Sequence, residues 1–182
     1  TMNFKQEADI VRALGAIQKN GHIQPGLKPV NWCLDCGSAL AEAEVEYEDK
    51  KSDAIDVGFS VVDLADLSAR LGVDVQDPTD LVIWTTTPWT LPANVGISFS
   101  DSENYVLTDG FIVAEPLHVK LLEQGVVKGE VVKSFRAEVL ENSFAINPLN
   151  GRKSQLLLGS HVTMDGGSGC VHTAPGHGDD DY

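Results

Sequence analysis

The 182-residue sequence predicts a mainly β, α+β fold: a barrel-like β core with a few helices packed on it. Three observations carry that expectation. Short runs rich in Val, Ile, Leu and Phe outnumber the helix-like patterns. Turn residues interrupt those runs at irregular intervals. The composition, 42% hydrophobic and 22% charged, suits one globular domain or a domain with a short appendage, large enough to bury a core without disulfides.

Residues 3–19 place Phe4, Ala8, Val11, Leu14 and Ile17 near helical spacing and end in Lys19-Asn20-Gly21, a cationic last turn before a glycine stop. One amphipathic helix is expected there. A connector, Gln24-Pro25-Gly26-Leu27-Lys28-Pro29, leads to a strand and tight knuckle around Cys33-Leu34-Asp35-Cys36-Gly37. Val45 and Tyr47, then Ile55, Val57 and Phe59, alternate with polar residues across Lys50-Lys51-Ser52-Asp53 and predict a hairpin. Asp63 caps a helix through Leu64, Leu67 and Leu71 to Gly72, and Glu115-Pro116 opens another through Leu121 to Gly125. Strands are expected over 81–86, 95–99, 105–107, 111–114, 126–132, 137–140 and 154–158. Residues 1–48 read as a helix and Cys-containing connector, and 49–182 as the main domain.

The net charge of −14 argues against a sequence-independent nucleic-acid binder, whose affinity comes from clustered Lys and Arg. It leaves room for a site that reads one nucleotide end. No apolar run approaches the roughly 20 residues that cross a bilayer, and Thr1-Met2-Asn3-Phe4-Lys5 lacks signal-peptide order. A soluble, cytoplasmic protein is expected, with no membrane partner and no indicated oligomer. Cys33-x-x-Cys36 has the spacing of metal or redox chemistry in a reducing compartment.

Two stretches carry chemistry. In Ile83-Trp84-Thr85-Thr86-Thr87-Pro88-Trp89-Thr90-Leu91-Pro92-Ala93-Asn94 an apolar strand meets three threonines and two prolines, which predicts a rigid extended ledge of hydroxyls able to hold a polar ligand. Strand propensity alone is the competing reason for those threonines. The second stretch is Gly169-Cys170-Val171-His172-Thr173-Ala174-Pro175-Gly176-His177-Gly178-Asp179-Asp180-Asp181-Tyr182. As a strand, 169–173 puts Cys170 and His172 on one face. It admits a Cys170/His172 nucleophile pair, a His172/His177/Asp metal cluster serving a hydrolase, or acidic residues that simply open a helix.

These two stretches, with Ser38-Ala39-Leu40-Ala41-Glu42-Ala43-Glu44-Val45-Glu46-Tyr47, closely resemble the editing insertion of isoleucyl-tRNA synthetases over nearly the whole chain. The valyl and leucyl enzymes are similar in fold, but their ledge continues with Arg and an acidic residue where this chain has Pro88-Trp89. The resemblance implies hydrolysis of the ester in misacylated Val-tRNA(Ile), delivered by its 3′ end from a distant synthetic site. One missing methylene is worth only roughly 1–3 kcal/mol of discrimination, a magnitude for which the isoleucine enzyme is itself the standard illustration, so a second pocket is needed. By resemblance Asp181 anchors the substrate α-ammonium and His172 limits pocket depth. Thr85, Thr86, Thr87 and Asn94 line the site, with Trp84, Trp89 and His177 beside them. A positioned water is expected to attack, with Asp181, His172, Thr86 and Thr87 as the catalytic set and the proton acceptor unassigned. Cys33 and Cys36 would be half of a zinc site in the parent enzyme, which would also use ATP and Mg; no cofactor is expected in this stretch alone. The editing unit is expected to continue beyond Tyr182, and the remaining synthetase and the tRNA end are the expected partners. A non-catalytic module that binds the tRNA end is the remaining alternative.

Overall fold

The computed structural model describes residues 3–182, so Thr1 and Met2 of the N-terminal reading lie outside the described residues. Helix α1, Phe4–Lys19, starts where the Asn3 side chain accepts from the Lys5 amide and ends with Lys19 in its last turn. Its apolar stripe is exposed at Phe4, Ile10, Val11, Leu14 and Ile17. A two-stranded knuckle follows, β1 (Trp32–Cys33) antiparallel to β2 (Ser38–Ala39).

The rest is built on one nine-stranded mixed sheet. Its strands are β3 (Ile55–Val61), β4 (Asp80–Thr85), β5 (Gly96–Phe99), β6 (Asn104–Leu107), β7 (Phe111–Ala114), β8 (Lys133–Arg136), β9 (Phe144–Ile146), β10 (Lys153–Leu158) and β11 (Cys170–Thr173). The spatial order is β11-β5-β10-β9-β3-β4-β7-β6-β8. Two pairings are parallel, β10 with β5 and β4 with β7; the others are antiparallel. The expectation of a mainly β core with packed helices stands. The hydrogen-bonded ladder is open, ending at β11 and β8, yet the sheet curls so far that β11 lies against β4 without pairing to it. Strong twist in a large sheet produces that curl.

The core fills the inside of this curl. Phe59, Leu81, Ile83, Ile97, Phe99, Tyr105, Ile112 and Leu156 are fully buried, and the Phe99 and Tyr105 rings meet edge to face with centroids 5.2 Å apart. Helix α2 (Leu64–Leu71) adds Leu67 and Leu71, is capped by Asp63 accepting from the Asp66 amide, and stops at Gly72. Helix α3 (His118–Glu123) follows a 3-10 turn begun by Glu115-Pro116 and buries Leu121.

Several local expectations are corrected. Residues 45–54 form no strand and Tyr47 stands exposed: the alternation at Val45 and Tyr47 has no sheet face to bury, while β3 pairs with β4 and β9. The apolar run 126–132 closes α3 instead, with the Val126 amide bonded to the Leu121 carbonyl and Val127 buried. Residues 137–139 make a 3-10 turn, and the strand lies just before them with Phe135 as its buried residue. The three-residue strand β9 was not foreseen. The extended ledge is a 3-10 turn, Pro88–Ala93, because Pro88 occupies the first helical position, where a missing N–H costs nothing. The residues 179–181 open no helix.

One glycine fixes the start of β11. Gly169 has φ of +76°, and a Cβ there would lie 2.2 Å from the Ala114 Cβ. Its carbonyl accepts from the fully buried Tyr105 hydroxyl at 2.6 Å, and that hydroxyl accepts from the Ser100 amide at 2.9 Å. Gly169→Ala combines left-handed strain with overpacking and is expected to cost about 2–4 kcal/mol of folding stability. Urea unfolding of the chain measures it; a loss below about 0.5 kcal/mol, within the range of neutral surface changes, would refute this account of the backbone.

Candidate functional site at the junction of β5, β10 and β11

Strand β5 lies between β11, where His172 is opposite Ile97 and Thr173 opposite Gly96, and β10, where Gln155 is opposite Gly96. The chain enters β5 from the 3-10 turn through Asn94, so that this buried side chain reaches both neighbouring strands. Its Oδ1 accepts from the Ser154 hydroxyl of β10 at 2.6 Å. Its Nδ2 donates to the Gly96 carbonyl at 2.8 Å and lies 3.0 Å from His172 Nδ1 on β11. On the other side of the imidazole, Nε2 is 2.7 Å from Thr90 Oγ1, and the Thr90 hydroxyl donates to the Thr87 carbonyl at 2.8 Å. Two segments about eighty residues apart are thereby joined through one histidine ring.

The threonines form a local turn on the same side. Thr85 and Thr87 hydroxyls are 3.2 Å apart, and the Thr87 amide donates to Thr85 Oγ1 at 3.0 Å. Thr85 is buried, whereas Thr86 and Thr87 are exposed, and the Thr86 carbonyl accepts from the Ser52 hydroxyl. After β11 the chain turns at Pro175-Gly176, and Asp181 folds back so that its Oδ2 accepts from the Ala174 amide at 2.8 Å. Burial holds the His172 imidazole below its ordinary pKa; the nearby Asp181 carboxylate opposes this and His177 reinforces it. His172, His177, Asp181, Asn94 and the 85–90 turn therefore share one neighbourhood.

Trp84 and Trp89 stand apart from the hydrogen-bonded set. Strand alternation turns Trp84 to the face opposite Thr85, where it lines a cleft of about 470 Å³ with Asp56, Lys120, Gln124 and Gly167. Trp89 is 63% exposed on the 3-10 turn. Sequence reasoning missed Ser154 and left Thr90 without a role. Neither residue type signals a site by itself; only the strand order that sets β10 beside β5 reveals Ser154.

The competing chemistries fare differently. Cys170 is fully enclosed and burial pushes its thiol up to about 12, which leaves no thiolate for a nucleophile pair with His172. Among the described residues no three His, Cys, Asp or Glu side chains come together in a way that could hold a metal ion, so the His172/His177/Asp hydrolase cluster does not assemble. In the knuckle, the Cys36 amide donates to Cys33 Sγ at 3.3 Å and the Gly37 amide to the Cys33 carbonyl at 2.9 Å. The Cys36 N–H, with a smaller contribution from Asp35, holds the Cys33 thiol below its usual range. Iodoacetamide near neutral pH is expected to alkylate Cys33 at least about 100-fold faster than Cys170, which becomes reactive only on unfolding; peptide mapping reads the order, and early Cys170 labelling would contradict it.

Comparisons with known proteins give the family and the fold. A family profile described as tRNA synthetases class I (I, L, M and V) matches residues 1–148. The chain is 61% identical over 192 residues to an isoleucine--tRNA ligase of Acinetobacter baylyi and 56% identical over 183 residues to one of Nautilia profundicola. Each alignment covers 100% of this chain and 20% of the relative, so the chain spans about a fifth of the length of the curated relatives it matches. Among solved structures, the editing domain of P. knowlesi cytosolic leucyl-tRNA synthetase superposes with a TM-score of 0.63 at 16% identity, covering 71% of this chain and 59% of that one. The editing domain of the P. falciparum enzyme with insertions 1 and 3 deleted gives 0.61 at 11% identity, covering 72% and 64%. The fold is shared with these domains, and the chain belongs to the class I tRNA synthetases of the isoleucine, leucine, methionine and valine group.

Proposed function

We propose that this stretch is the editing module of an isoleucine--tRNA ligase and hydrolyses the ester of Val-tRNA(Ile). The observation that carries the reading is the convergence of the 85–90 turn with His172 and Asp181 on one side of the curled sheet. In this reading residues 1–48 connect the module to the synthetic part of the enzyme and residues 49–182 form the editing unit. The partner is the aminoacylated 3′ end of the tRNA, and the setting is the cytoplasm, in agreement with the absence of any helix long and apolar enough to cross a membrane among the described residues.

Each role is the one the resemblance implies, and elementary chemistry supports it. Asp181 grips the valyl ammonium, since a charge-assisted contact fixes the amino acid and with it the ester. Thr85, Thr86 and Thr87 present hydroxyls and backbone groups to the sugar and the acyl group, and orient the attacking water. Water adds to the ester carbonyl carbon, the bond to the ribose oxygen breaks, and free valine and tRNA leave. His172 stands against the amino-acid side chain. In this reading His177 and the exposed Trp89 flank the entrance, while Trp84, on the opposite strand face, takes no part. In the parent enzyme Cys33 and Cys36 would supply two thiolates of a zinc site; the knuckle's N–H to sulfur bond suits that use. ATP and Mg belong to the parent's synthetic reaction.

The test is deacylation of Val-tRNA(Ile) by the full-length synthetase. Asp181→Ala is expected to lower the rate by about 10- to 100-fold, the range for loss of one charge-assisted contact, and Thr87→Ala by a smaller factor. Chelator added to the wild type is expected to leave hydrolysis at this site intact. Unchanged rates in both variants would remove the site, and a chelator-sensitive rate that persists when Cys33 and Cys36 are replaced by serine would favour metal chemistry in its place.

A further inference from the structure

We infer that Ser154, Asn94 and Thr90 lock His172 as the neutral tautomer protonated on Nε2, so that the ring serves as a fixed wall of the acyl pocket and not as a proton acceptor. The inference deepens the editing reading and rests on it for the identity of the acyl group. The ring's protonation is determined from both ends of a chain of hydrogen bonds.

From one end, the Gly96 carbonyl can only accept, so the Asn94 atom 2.8 Å from it is the amide nitrogen. Ser154, fully buried on β10, donates its hydroxyl proton to Asn94 Oδ1 at 2.6 Å and holds the same orientation. The second hydrogen of that amide nitrogen faces His172 Nδ1 at 3.0 Å, which must therefore be bare. From the other end, the Thr90 hydroxyl spends its single proton on the Thr87 carbonyl at 2.8 Å. Its oxygen is then left to accept from the imidazole, 2.7 Å away, which matches a proton on Nε2. The Asn94 end fixes the tautomer and the Thr90 end is in accord with it.

An imidazolium would aim an Nδ1 proton at the Asn94 amide hydrogens, so accepting a proton means breaking the network. The charged and titratable neighbours are Asp181 and His177, on the segment after β11; Asn94, Ser154 and Thr90 from the other packed segments are uncharged. Burial weighs in the same direction as the network. Thr90 and Ser154 act through the ring and are positioning residues: with either hydroxyl gone the imidazole can tilt, and the pocket accepts the longer isoleucyl group.

Three measurements test this. In the 182-residue chain labelled with 15N-histidine, His172 is expected to show a bare Nδ1 and a protonated Nε2 from about pH 8 down to about pH 6, across the ordinary imidazole range. In the full-length synthetase, Ser154→Ala and Thr90→Val are each expected to reduce the preference for Val-tRNA(Ile) over Ile-tRNA(Ile) hydrolysis by about tenfold, the size of one lost hydrogen bond, through faster Ile-tRNA(Ile) cleavage. Thr90→Ser, which keeps the hydroxyl, is expected to retain the wild-type preference. The wild-type pH profile is expected to lack a histidine ionisation, and Ser154→Ala to acquire one. An Nδ1–H tautomer or an imidazolium in the wild type at pH 7, or an unchanged preference in both folded variants, would overturn the inference. A synthetase that fails to cleave Val-tRNA(Ile) at all would remove the editing reading and the specificity role with it, while the resonances alone still decide the ring assignment.

Discussion

The organisation of this molecule turns on a single buried amide. Asn94 must satisfy a carbonyl on its own strand, a hydroxyl on one neighbour and an imidazole on the other, and it can do so only if β10, β5 and β11 lie side by side in that order. Buried polar groups left without partners are costly, so the three-way requirement makes the local strand order and the site geometry one and the same condition. The core reinforces it from a distance: Tyr105 on β6 pins the backbone at Gly169, and so fixes the take-off of the strand that carries His172.

How much of this was legible in the sequence depends on whether the cause was local. The first two helices announce themselves through periodic Leu, Ile and Val and through their stop signals, and Asp63 caps where its spacing says it should. Strands β4, β7 and β11 are legible because β-branched residues lead into turn residues, and β10 through its run of three leucines. Thr85, Thr86, Thr87, His172 and Asp181 were picked out through the resemblance of their motifs to editing insertions; side-chain type alone left a nucleophile pair and a metal cluster open.

What was not legible is what depends on distant partners. Val45 and Tyr47 alternate like a strand but have no neighbour, while Lys133–Arg136, with Phe135 as its one buried side chain, pairs along β6. The parallel pairing of β10 with β5 cannot be read from either segment, and with it goes the reason for Ser154. The threonine and proline stretch was readable as rigid but not in its shape, since proline tolerates an extended ledge and the first turn of a helix equally well.

That stretch has one further consequence. Pro88 and Pro92 restrict their own φ angles before folding begins, and the Thr85–Thr87 and Thr87–Thr90 contacts tie the remaining rotors to the framework. In the proposed reading, a ligand arriving there would meet a surface already set in its binding shape and lose little affinity to ordering the loop. Substitutions that loosen Pro88 or Pro92 would thus weaken the grip on that ligand and also cost about 0.4–1 kcal/mol of folding stability each, through the freer unfolded chain.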